Sequence, residues 1–195
     1  CHQCRKPAPK TNAEQIERLC EWVDKGEAWA QSMMAQWYRD GKRGLKQSYV
    51  MAAMLFEKAV AQGDSAAMFD LACLYYHGQG VVQSFKKAVE LFTMAAEQGN
   101  VRAMVNLGNR YFQGQGVDQS NELAREWLFK AANEGDETAI NNLEVLDEQE
   151  ATKAAATSST TTTTTTSSRC CAACTTLQTN DHPLNRCKCH SVYYC

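Results

Sequence analysis

Between residues 26 and 147 the apolar and small residues of this chain fall into columns that return every 36 or 37 positions. Gly26, Gly63, Gly99 and Gly135 head the columns, and Ala30, Ala67, Ala103 and Ala139 follow four residues later. Met34, Leu71, Leu107 and Leu143 come next, then Tyr38, Tyr75 and Tyr111, then Gly41, Gly78 and Gly114. The second half of each unit repeats Ala52, Ala88 and Ala124, then Leu55, Leu91 and Trp127, then Ala59, Ala95 and Ala131. Steps of four residues advance only about 40° around a helix, so the Ala, Leu and Tyr of each first half share one face. The Ala, Leu and Ala of each second half, at spacings of three and four, do the same. Each unit is therefore two amphipathic helices, predicted over 28–40 and 48–61, 65–77 and 84–97, and 101–113 and 120–133. The unit boundaries are 26–62, 63–98 and 99–134.

Small residues at the helix starts let neighbouring helices approach closely. Gly63, Gly99 and Gly135 close the second helices, where a left-handed residue is easiest for glycine. Gly78-Gln79-Gly80 and Gly114-Gln115-Gly116 turn the chain between the helices of a unit, and Gly41-Lys42-Arg43-Gly44 does so with one more residue. A helix capped by Thr11, with Glu14 as capping-box partner, covers the first unit over 11–25. It turns Ile16, Leu19, Cys20 and Val23 inward, so Cys20 is expected to be a buried, small apolar residue. A last helix over 135–150 becomes acidic and polar, as the end of a stack should. The stretch 151–169 contains seven consecutive threonines and nothing that builds a core, and is expected to be a disordered linker. As a coil it would span about 25 Å.

The whole is expected to be all-α, a right-handed α-solenoid of helix-turn-helix repeats. The formal net charge of −2, with Lys and Arg spread along the chain, gives no nucleic-acid footprint. No apolar run is long enough to span a bilayer, so no membrane segment is expected. Of ten cysteines, only Cys20 and Cys73 lie in the middle; the rest cluster at the ends in closely spaced pairs, a placement that favours metal binding over a disulfide framework. That implies a reducing, intracellular compartment, cytoplasmic or nuclear. No catalytic constellation is present: the G-x-G turns follow helices rather than strands, and His77, whose counterpart is Gln113, is expected to be a surface residue. The chain is not expected to be an enzyme.

"GNVRAMVNLGNRYFQGQGV" and "AREWLFKAANEG" resemble the Sel-one-like repeat (SLR), a relative of the tetratricopeptide repeat. The resemblance covers residues 26–147, with three complete units and a fourth first helix. The tetratricopeptide repeat has a 34-residue period and lacks the G-x-G-V bend, so it fits less well. The SLR resemblance implies a protein-interaction scaffold.

The ends carry two further resemblances. "CHQCRKP" is similar to the last ligand pair of a RING finger, which implies Cys1 and Cys4 as zinc ligands within 1–10. "CAACTTLQTNDHPLNRCKCHSVYYC" resembles the first half of a MYND zinc finger over 170–195. There Cys171 and Cys174 match the first pair, Cys189 and Cys195 the fourth and fifth ligands, and Cys187 the third at a spacing one residue short. Zinc takes four tetrahedral ligands, so neither finger closes within this sequence, which reads as a piece of a longer protein. One site shared by Cys1, Cys4, Cys171 and Cys174 would require the two ends of the solenoid to meet.

A solenoid presents an extended concave surface built from one helix of each unit. The side opposite the Ala/Leu/Tyr stripe carries Ser32, Met33 and Gln36, then Phe69, Asp70 and Cys73, then Val105, Asn106 and Asn109. Met33, Phe69 and Val105 are apolar there, as a peptide groove would need. The first functional expectation is a scaffold whose concave face takes a protein or peptide partner, tethered to zinc-binding fingers. The alternative, implied by the RING resemblance, is the substrate-recognition arm of a ubiquitin ligase that meets ubiquitin-conjugating machinery through an upstream finger.

Overall fold

A computed structural model describes residues 11–160, with side chains over 11–153. The described residues form eight helices and no strand: α1 (Asn12–Asp24), α2 (Ala28–Asp40), α3 (Tyr49–Val60), α4 (Ser65–His77), α5 (Phe85–Glu97), α6 (Val101–Gln113), α7 (Asn121–Asn133) and α8 (Glu137–Thr160). The chain divides into two compact units, Cys1–Ala151 and Thr152–Cys195; of the second, only the last turns of α8 are described. Cys1, Cys4, Cys171, Cys174, Cys187, Cys189 and Cys195 all lie outside the described residues.

Each helix boundary has a local cause. Thr11 accepts from the Glu14 amide at the start of α1. Asp64, Asn100 and Asp136 do the same for α4, α6 and α8, each side chain accepting from an amide in the first turn. The junction between α5 and α6 shows how one helix ends and the next begins within three residues. Gly99 takes φ +84°, its amide donates to Ala96 and the Asn100 amide donates to Ala95, closing the helix with two bonds that need a left-handed residue. Asn100 then caps α6.

The alanine columns are where the helices touch. Ala30, Ala67, Ala103 and Ala139 have no exposed surface, and neither do Ala52, Ala88, Ala124, Ala59, Ala95 and Ala131. Gly108 carries the same logic further, since a Cβ there would stand 2.8 Å from Leu128 Cγ. Around these contacts Phe56, Met68, Leu74, Phe92, Leu107, Leu128 and Leu146 are fully buried, each contributing about 1.5–3 kcal/mol of hydrophobic stabilisation. Val60, Tyr75 and Leu91 pack against both the α1–α4 cluster and the α4–α8 cluster, so the core is continuous along the stack. Arg125 of α7 pairs with Asp147 and Glu150 and helps to hold α8.

Two expectations are corrected here. Cys20 is exposed, not buried. Trp22 joins Ile16, Leu19 and Val23 in packing, which rotates the buried face of α1 away from Cys20. Among the described helices α1 packs chiefly against α2, and a helix packed on one side buries a narrow stripe. The last helix also runs beyond 150 to Thr160, into the stretch expected to be a linker; Ala151, Lys153 and Ala154-Ala155-Ala156 are strong helix formers.

Candidate functional site

The first helices of successive units, α2, α4, α6 and α8, are joined by side-chain rungs that bring the expected binding columns together. Gln36 Nε2 donates to Asp70 Oδ2 at 3.0 Å, and Arg39 Nη1 donates to Asp70 Oδ1 at 2.7 Å. Both carboxylate oxygens of a buried Asp70 are therefore occupied from α2. Asn142 Nδ2 on α8 donates to Asn109 Oδ1 on α6 at 3.1 Å, and Asn106 Nδ2 donates to the Arg102 carbonyl one turn back at 2.9 Å.

The columns are not uniformly open. Met33 is 41% exposed, and Gln36, Cys73, Asn106 and Asn109 are half-buried. Ser32 is buried, and so are Phe69 and Val105, contrary to the expectation of apolar side chains on an open face. Phe69 stands 5.7 Å from Phe92 of α5, and both Phe69 and Val105 belong to the core. The reason is that α4 and α6 each have packed neighbours on several sides. A single-helix periodicity leaves a broad free face, whereas the stack leaves a strip about two columns wide.

Three arginines surround that strip, and the column reading missed them. The Arg102 guanidinium lies 4.3 Å from the Phe69 ring centre, and that of Arg110 lies 4.3 Å from the Tyr76 ring. Arg110 Nη1 donates to Gln115 Oε1, which also accepts from the Tyr76 hydroxyl at 3.0 Å. Cys73 sits among these groups. Burial pushes its thiol up to about 11, the Asp70 carboxylate adds to the rise, and Arg102, Arg39 and Arg110 oppose it. A thiol so placed stays protonated at neutral pH and is no nucleophile.

His77 is exposed, edge-on to Tyr76 with ring centres 4.9 Å apart, a surface position as expected. A surface hollow of 830 Å³ beside Tyr111, Val117 and Leu123 lies at the Gly116 turn rather than on the first-helix strip. Among the described residues no group of three or more His, Cys, Asp or Glu side chains could hold a metal ion. No described helix is long and apolar enough to cross a membrane. The strip offers amide, guanidinium and thioether groups.

Three stretches, residues 30–64, 65–100 and 101–136, match the Sel1 repeat family. Among solved structures, the chain is similar to a protective antigen of uropathogenic Escherichia coli that displays an SLR fold, at 28% identity and a TM-score of 0.71, over 74% of this chain and 31% of the antigen. It is also similar to a Sel1 repeat protein from Oxalobacter formigenes, at 26% identity and a TM-score of 0.65, over 69% of this chain and 55% of that one. Helicobacter pylori cysteine rich protein B shares the fold at 17% identity and a TM-score of 0.53, over 67% of this chain and 92% of that protein. This chain thus spans about a third and about half the length of the first two. No curated protein sequence matches it. With three matched repeats over more than half of its length, the chain belongs to the Sel1 repeat family.

Proposed function

We propose that this chain is a protein-interaction scaffold that holds a peptide segment of its partner along the strip formed by α2, α4 and α6. Sel1 repeat proteins generally act as such scaffolds. The observation that supports the reading for this chain is the set of rungs between first helices, Gln36 to Asp70 and Asn109 to Asn142. They fix side chains from successive units in one register and leave Met33, Cys73 and Asn106 with solvent-facing surface beside them. A pre-ordered strip of this kind binds an extended peptide without first having to be organised.

The test is to select peptides against the full chain and measure their affinity by fluorescence anisotropy for Asn106→Glu and for Met54→Glu, which lies on α3 and is half exposed. Loss with Asn106→Glu alone assigns binding to the first-helix strip; loss with Met54→Glu alone assigns it to the outer helices.

The zinc-binding ends are part of the same proposal, with Cys1 and Cys4 on one side and Cys171, Cys174, Cys187, Cys189 and Cys195 on the other. Zinc per chain by elemental analysis tests them, for this chain and for one extended on both sides. The ligase alternative rests on the Cys1–Cys4 resemblance and draws nothing from the described residues.

A further inference from the structure

One position breaks the repeat in a way that core packing does not explain. The column at Trp37, Leu74 and Leu146 is apolar, and Leu74 and Leu146 are each 1% exposed. In the third unit the same column holds Arg110, 9% exposed. Among the described residues its guanidinium has no acidic partner; a neutral amide oxygen takes Nη1, and Nε is buried with no hydrogen bond. A buried cation without an anion is costly, and one amide oxygen and a ring face offset only part of that cost. The unit keeps an arginine where its neighbours keep hydrocarbon, and among the described residues that charge has no counter-charge.

A second cation stands on the same helix. Arg102 is exposed and has no ion pair among the described residues, and its column holds Trp29, Ala66 and Thr138 in the other units. Among the described residues no carboxylate forms an ion pair with either arginine: α6 has no acidic residue, and the single one on α4, Asp70, is occupied by Arg39 and Gln36. Arg102 and Arg110 are eight residues apart, about 12 Å along a helix axis. Residues four apart on one side of an extended peptide are about 13 Å apart. Asn106 and Asn109 lie between the two arginines, and partly exposed Cys73 beside them.

We propose that the strip along α6 binds an acidic peptide segment, with Arg102 and Arg110 taking carboxylates four residues apart. This rests on the peptide-binding reading above and adds the chemistry of the partner. A short peptide fits better than a polynucleotide, because the basic strip is confined to one unit and the first and last described helices are acidic, with Glu14, Glu17 and Glu21 on α1 and Glu144, Asp147 and Glu148 on α8.

The test uses the full chain and a fluorescent twelve-residue peptide with glutamates four apart, against the same peptide with glutamines. The acidic peptide binds about tenfold more tightly at low salt, and the preference shrinks as salt rises. Arg110→Leu abolishes the preference while raising the melting temperature, because it restores the residue found in the same column of two other units. Arg102→Gln reduces the preference severalfold and leaves the melting temperature unchanged. Equal binding of the two peptides overturns the inference, as does an Arg110→Leu variant that melts lower and keeps the preference, which would make Arg110 structural. A single-stranded oligonucleotide that binds more tightly than the acidic peptide overturns it as well. If neither glutamate nor glutamine peptide binds but selected peptides do, only the acidic partner falls; if no peptide binds, the first-helix reading falls with it.

Discussion

Gly80 stands so close to Tyr49 that a Cβ built on it would lie 2.4 Å from the Tyr49 carbonyl carbon. The turn of the second unit thus rests, backbone on backbone, on the first residue of the second helix of the unit before it. Gly116 repeats the contact against Phe85, at 2.5 Å. The second glycine of each G-x-G turn is therefore an inter-unit joint as well as a bend. Gly44, in the first unit, has a left-handed φ of +89° but nothing within 4 Å of its Cβ position. Gly80→Ala is expected to destabilise the chain by about 3 kcal/mol, adding a backbone clash to conformational strain, and Gly44→Ala by about 1–2 kcal/mol from strain alone. Urea unfolding of the two variants checks this; equal losses would mean that the joint contributes nothing.

A second joint lies within each unit. Gln47, Gln83 and Gln119 donate through Nε2 to the carbonyls of Arg39, Tyr76 and Phe112, each at 2.8 Å. The next residue, Ser48, Ser84 or Ser120, accepts from the amide three residues on and caps the second helix. The pair clips the end of one helix to the start of the next. Ser84→Ala should cost about 1 kcal/mol as a lost cap, and Gln83→Ala about as much as a lost hydrogen bond. Thermal melts of the single and double variants test the clip, with a double loss smaller than the sum if the two residues act together.

Much of this fold is legible in the columns, and the exceptions share a cause. The recurrence of Ala, Leu and Tyr places α2 to α7 within a residue of their observed ends, because identical units meet identical neighbours. The Gln-Ser pair recurs at the same interval and could have been read the same way; its meaning lay in a hydrogen bond that composition does not display. What periodicity could not supply was the number of neighbours around each helix. Phe69 and Val105 look surplus on an isolated helix and are core in the stack, whereas Cys20 looks like core and is exposed because, among the described helices, α1 packs chiefly against α2. Arg110 was equally visible as a broken column, but only its burial beside Tyr76 turns it from a substitution into a candidate ligand.

The two described cysteines should differ in reactivity. Burial, with a contribution from Asp24, raises the Cys20 thiol, but its side chain is exposed. Cys73 is pushed up to about 11, chiefly by burial, and is less accessible. Iodoacetamide at pH 8 should therefore label Cys20 well before Cys73, read by mass spectrometry of proteolytic fragments from briefly labelled protein. Faster labelling of Cys73 would show that the arginines around it outweigh its burial.

Asp40 gives the stack an acid-sensitive point. A hydrogen bond from Arg39, another from Lys42 and the charges of both lower its carboxyl from 3.8 to about 2. Arg39 Nε reaches Asp40 Oδ1 at 2.8 Å and Lys42 Nζ reaches Oδ2 at 2.7 Å. Because the folded value is the depressed one, the pair stabilises the fold fully above 3.8, and that contribution disappears as the pH falls from 3.8 toward 2. Other acids destabilise the protein over the same range, so the informative quantity is the difference between the wild type and Asp40→Asn. Urea midpoints at pH 5, 3.5 and 2.5 should show that difference shrinking stepwise toward zero. A difference that stays constant down to pH 2.5 would mean that Asp40 matters through its shape and hydrogen bonds rather than its charge.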